Sequence, residues 1–88
     1  MRYMQARVTG RVQGVKFRHA TAQRARELAV VGYARNCDDG SVEVGMAGHH
    51  DNVTVLVDWL QSGPPSAWVD QVTCEEMAVQ SWSDFRTG

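Results

Sequence analysis

Residues 2–9 alternate between apolar and polar positions: Met4, Ala6 and Val8 fall on one side of the chain, Gln5, Arg7 and Thr9 on the other. A period of two predicts a strand with one face buried. From Val15 to Leu28 the period lengthens. Phe17, Ala20, Ala25 and Leu28 recur at helical offsets while Gln23, Arg24, Arg26 and Glu27 supply a polar side, which predicts an amphipathic helix. Val31 to Asn36 reads as a second strand, and Cys37-Asp38-Asp39-Gly40 as a turn, since Asp-Gly is a hairpin signal. Ser41 to Ala47 alternates again, with Val42, Val44 and Met46 on one face of a third strand. Asp51 to Ser62 is rich in β-branched residues, yet Val53, Leu56, Val57 and Leu60 stand at i, i+3, i+4 and i+7. With Asp51 to cap it and Gly63-Pro64-Pro65 to stop it, this segment is predicted as a helix. Ala67 to Ala78 is predicted as a fourth strand, bulged near Asp70-Gln71 where the alternation slips. The tail from Ser81 to Arg86 leaves room for a short fifth strand at the edge.

The order β-α-β-β-α-β contains two similar halves joined by a hairpin. Each helix must cross between strands that are parallel but not adjacent. This predicts the ferredoxin-like α+β sandwich: an antiparallel four-stranded sheet with both helices on one face. A length of 88 residues places the whole chain, 1–88, in one domain. A formal net charge of −1 argues against a dedicated nucleic-acid binder, which is usually basic over a whole face, so any anion site must be local. No apolar run approaches the ~18 residues of a membrane span. The opening MRYMQARVTG has no continuous apolar core, so no leader is expected and the cytoplasm is the expected compartment. Cys37 and Cys74 are far apart, form no CxxC, and are expected to be free thiols. His49-His50 is expected to be a loop pair without a third ligand, so no metal site is expected.

The stretch with chemical potential is Gly10 to His19, GRVQGVKFRH, at the junction of the first strand and first helix. Gly10 and Gly14 bracket a turn, and Arg11, Lys16 and Arg18 cluster in and after it. A glycine-bracketed turn that feeds a helix N-terminus aims several N–H groups at one point, a concavity suited to an anion. A guanidinium at its rim can fork two phosphate oxygens. On these residues alone two readings stand: an oxyanion site with Arg18 as its fixed charge, or a plain strand-to-helix connection with solvated cations.

Three strings settle on a family. GRVQGVKFR, GYARNCDDGSVEV and GPPSAWVDQV closely resemble the corresponding stretches of acylphosphatases, and the resemblance runs from about Gln5 to Phe85. It implies a small cytosolic ferredoxin-like enzyme that hydrolyses carboxyl-phosphate anhydrides to a carboxylate and inorganic phosphate without a metal or other cofactor. Arg18 matches the family's phosphate-binding arginine, and Asn36 the asparagine that orients the attacking water. The backbone N–H groups of Gln13, Gly14, Val15, Lys16, Phe17 and Arg18 are expected to form the phosphate cradle. The expected partner is a small-molecule acyl phosphate; no nucleic acid or membrane is expected, and the chain is expected to act as a monomer. Lys16 is expected to be solvated or to steer the anion, and His19 to lie on the first turn of the helix. A non-catalytic phosphate- or nucleotide-binding module on the same fold is the alternative. An RNA binder that stacks bases on the sheet is disfavoured, because SVEVGMA in the third strand has no aromatic. Two positions depart from the family pattern. Leu28 is followed by Ala29 where relatives carry glycine, and Phe85 by Arg86, Thr87 and Gly88 where relatives continue an apolar strand.

Overall fold

The computed structural model describes residues 1–87; Gly88, the last residue of the tail, lies outside the described residues. The chain runs β1 (Arg2–Arg11), α1 (Phe17–Glu27), β2 (Val31–Asn36), β3 (Val42–Gly48), α2 (His50–Leu60), β4 (Trp68–Glu76) and β5 (Phe85–Thr87). The strands lie in the order β4-β1-β3-β2-β5. β1 pairs antiparallel with both β3 and β4, and β2 pairs antiparallel with β3. Each helix therefore bridges two parallel strands with a third between them, which is the ferredoxin-like α+β fold.

The tail forms the short fifth strand for which the sequence leaves room. β5 pairs in parallel with β2, Gly32 opposite Phe85, so the sheet is mixed and five-stranded. The reason is packing: Phe85 is 1% exposed, an apolar plug that carries two polar neighbours into the edge position. Gly32 N–H donates to the Asp84 carbonyl at 2.9 Å, and the Arg26 guanidinium donates to the Phe85 carbonyl at 2.8 Å.

Alternation decides what the sheet buries. Met4, Ala6 and Val8 of β1 and Val42, Val44 and Met46 of β3 face the helices and form the core with Leu56 and Leu60 of α2. From α1 the buried side chains are Phe17, Thr21, Ala22 and Ala25. The face is rotated from the expected one: Thr21 takes a core position because its Oγ1 donates to the Phe17 carbonyl at 2.8 Å, which satisfies the hydroxyl within its own helix.

Boundaries shift where backbone conformation intervenes. α1 starts at Phe17 and not Val15, because Lys16 is left-handed (φ 61°, ψ 24°) and cannot join a right-handed helix. α2 is capped by His49, whose ring accepts from Asp51 N–H at 3.4 Å, so Asp51 is a first-turn residue and not the cap. His49-His50 is accordingly a helix start rather than a loop pair. In β4 the bulge falls at Asp70: Thr9 faces Gln71 and Gly10 faces Val69, which leaves Asp70 unmatched at the expected place.

Candidate active site

The turn from Val12 to Lys16 leaves β1 and enters α1 beneath the end of β2. Its conformation is set at two left-handed residues, Gly14 (φ 75°) and Lys16 (φ 61°), on either side of Val15. Glycine accepts such angles freely, whereas lysine there costs of order 1 kcal/mol or more. Alternation of this kind turns consecutive N–H groups toward a common side.

Hydrogen-bond accounting shows which way the peptides face. Carbonyls in this region find partners: the Val15 carbonyl accepts from Ser66 Oγ at 2.9 Å, Lys16 from Ala20 N–H at 3.0 Å, and Phe17 from Thr21 Oγ1 at 2.8 Å. The N–H groups of Gln13 to His19 have no acceptor among the described residues, and no side chain caps the helix. Seven consecutive unpaired donors at a helix N-terminus, with the helix dipole behind them, are an arrangement suited to an anion. A buried ring holds the turn in place. Phe17 is 1% exposed, its centroid lies 6.1 Å from that of Trp59, and Gly63 lies against its edge. A Cβ at Gly63 would stand 2.7 Å from Phe17 Cε2, and Gly63 is itself left-handed (φ 64°).

Beside this turn lies a cavity of about 340 Å³ lined by Gly14, Lys16, Phe17, Arg18, His19 and Asn36, among others. The structure thus brings Arg18 and Asn36 to one concavity. Strand alternation explains how. Ala34 is fully buried beneath the helices, so Asn36, two residues on, points to the same side but past the edge of the core. Arg35, between them, points to the opposite face. Arg18 forms no ion pair among the described residues, and no carboxylate lines the cavity. The described lining carries Arg18, Lys16 and His19 and no acidic side chain. Lys16 and His19 are exposed at its rim, where the sequence expects them.

Two features of the site were not legible in the motif. The Gln13 side chain donates to the Cys37 and Ser41 carbonyls at 2.8 and 2.9 Å, away from the cavity. Ser66, within the GPPSAWVDQV string, ties the turn to the α2–β4 connection. Cys37 and Cys74 are free. Among the described residues no three His, Cys, Asp or Glu side chains gather as a metal-ligand set.

A second concavity, of about 200 Å³, lies on the sheet face away from the helices and includes Gln5, Arg7 and Glu43. Its buried carboxylate is already taken. Glu43 accepts from Arg35 Nε at 2.7 Å, from Tyr33 Oη at 3.0 Å and from the Gln5 amide. Burial works to raise the Glu43 carboxyl, but the hydrogen bonds from Arg35, Tyr33 and Gln5 outweigh it and hold the group below its ordinary range.

Comparison with known proteins places the whole chain beside one family. The family model described as acylphosphatase matches residues 4–87. A protein named acylphosphatase from Chromohalobacter salexigens is 51% identical over 87 residues, which covers 99% of this chain and 97% of that one. Among solved structures, an acylphosphatase from Coxiella burnetii superposes with a TM-score of 0.95 at 39% identity, covering 99% of this chain and 92% of its own. One from Bacillus subtilis also reaches 0.95 at 28% identity, over 100% and 99% of the two chains. With the family model over residues 4–87 and relatives alike in sequence and fold, this chain belongs to the acylphosphatase family.

Proposed function

We propose that the chain is an acylphosphatase: it hydrolyses carboxyl-phosphate anhydrides to a carboxylate and inorganic phosphate by attack of a positioned water. One observation carries this reading. Among the described residues the N–H groups of Gln13 to His19 lack acceptors, beside a cavity that Arg18 and Asn36 share. The N–H groups of Gln13, Gly14, Val15, Lys16, Phe17 and Arg18 hold the phosphoryl oxygens, and the Arg18 guanidinium forks two of them. Phosphoryl transfer through a loose transition state asks mainly for position and for charge stabilisation on the equatorial oxygens, and this donor set provides both.

The carboxylate leaving group is a weak base, so its departure needs little protonation. Asn36 both donates and accepts, and it holds a neutral water in line with the scissile bond. The water's proton passes to a phosphate oxygen. Cradle, guanidinium and carboxamide all come from one chain, in keeping with a monomer, and two free thiols suit a reducing cytoplasm.

Hydrolysis of benzoyl phosphate tests the reading, with inorganic phosphate as a competitive inhibitor. Arg18→Ala is expected to lose both turnover and phosphate inhibition. Asn36→Ala is expected to keep phosphate inhibition and lose turnover, since it removes the water's partner and not the anion's. Phosphate binding by the native chain without turnover would instead identify a binding module.

A further inference from the structure

Gln13 enters the site through its backbone N–H, but its side chain leads elsewhere. Its Nε2 donates to the Cys37 carbonyl at 2.8 Å and to the Ser41 carbonyl at 2.9 Å. A primary amide has two N–H hydrogens, and these two oxygens use both, so the orientation of the amide is fixed by chemistry. Cys37 directly follows Asn36, and its N–H donates to the same Ser41 carbonyl at 2.8 Å. The amide therefore closes the neck of the β2–β3 turn at the point where Asn36 leaves the strand. Among the described residues these are the only hydrogen bonds between residues 12–16 and residues 36–41. The Asn36 carboxamide has no hydrogen-bond partner of its own among the described residues, so no side-chain contact holds it and the backbone that carries it sets how far from the cradle it can reach.

We infer that Gln13 is a positioning residue: its side-chain amide sets the spacing between the phosphoryl cradle and the Asn36 carboxamide, and so places the attacking water in line. The inference rests on the acylphosphatase reading and adds to it. Gln13 supplies its N–H to the cradle whatever its side chain, so the two roles separate by substitution. Gln13→Met keeps length and volume but has no donor. Misplacing an oriented reactant by a fraction of an ångström to an ångström costs rate far more than affinity.

The test is benzoyl phosphate kinetics, with inhibition by inorganic phosphate, for the native chain, Gln13→Met, Asn36→Ala and the double variant. Gln13→Met is expected to lower kcat by ~10–100-fold and to leave phosphate inhibition within about twofold. In the Asn36→Ala background it is expected to cost nothing further, because the group it positions is gone. A multiplicative loss in the double variant, or weakened phosphate inhibition with kcat intact, overturns the inference. If Asn36→Ala loses turnover while Gln13→Met keeps it, the positioning role falls and the enzyme reading stands. If the native chain does not hydrolyse the substrate, both fall. Should Gln13→Met fail to fold, Gln13→Glu, which sets a carboxylate against the two carbonyls, takes its place with the same expectations. If neither folds, the amide's role is structural and the inference is overturned.

Discussion

Ala29 shows how one position can be read through a helix end. The Ala29 N–H donates to the Arg26 carbonyl at 3.1 Å and the Val30 N–H to the Ala25 carbonyl at 2.8 Å, with Ala29 left-handed at φ 55°. This pair of bonds is the Schellman arrangement, and the residues of its apolar pair, Val30 and Ala25, are both buried. The arrangement asks for glycine where alanine stands. Ala29→Gly is therefore expected to stabilise the chain by about 1 kcal/mol, or about 4–8 °C in Tm, in a thermal melt. An unchanged or lower Tm would contradict it. Arg18 poses a question of shape as well as charge. An ammonium cannot fork two oxygens, so Arg18→Lys is expected to recover only part of the turnover lost in Arg18→Ala, measured side by side.

At the scale of elements, β5 is a three-residue strand that one side chain holds. Phe85 is 1% exposed, and Arg26 from α1 reaches over to its carbonyl. Removal of the ring leaves a cavity beneath α1 and loosens the edge of β2. Phe85→Ala is expected to cost about 3–5 kcal/mol in denaturant unfolding, the range for a fully buried aromatic. A loss below about 1 kcal/mol would mean that β5 is only laid against the sheet. The tail looked doubtful as a strand because Arg86 and Thr87 are polar. In a parallel edge strand of this length, one inward residue suffices.

Over the whole molecule the two faces of the sheet have different jobs. The helix side holds the core and, at its end, the cavity shared by Arg18 and Asn36. The other face holds Glu43 of β3, 6% exposed, within hydrogen bonds from the two neighbouring strands: Gln5 of β1, and Tyr33 and Arg35 of β2. The folded carboxyl lies below its unfolded value, so its contribution to stability is present above the unfolded pKa, about 4.3 for a glutamate. It is lost as pH falls through the folded value. Native Tm is thus expected to drop from about pH 5 downward, and Glu43→Gln to flatten part of that drop while lowering Tm at pH 7. Equal acid sensitivity in the two proteins would show that other carboxylates carry the effect.

Element order and the plan of the sheet are legible in the amino acids, because each depends on local periodicity: Met4-Ala6-Val8 and Val42-Val44-Met46 alternate, and Val53-Leu56-Val57-Leu60 recurs at helical spacing. The sequence also singles out Arg18 and Asn36, because their strings are specific. Tertiary structure alone decided the rest. Lys16 is left-handed, Thr21 is core, Phe85 docks in parallel, Glu43 collects partners from neighbouring strands, and the Gln13 amide spans to the next turn. The last three are settled by contacts that no window of neighbouring residues encodes, and the first two by a backbone angle and a helix rotation that the hydrophobic period does not reveal. The separation in chain between Gln13 and Ser41 closes only when β1 and β3 pair, and with that pairing the cradle and the Asn36 carboxamide come to share one cavity.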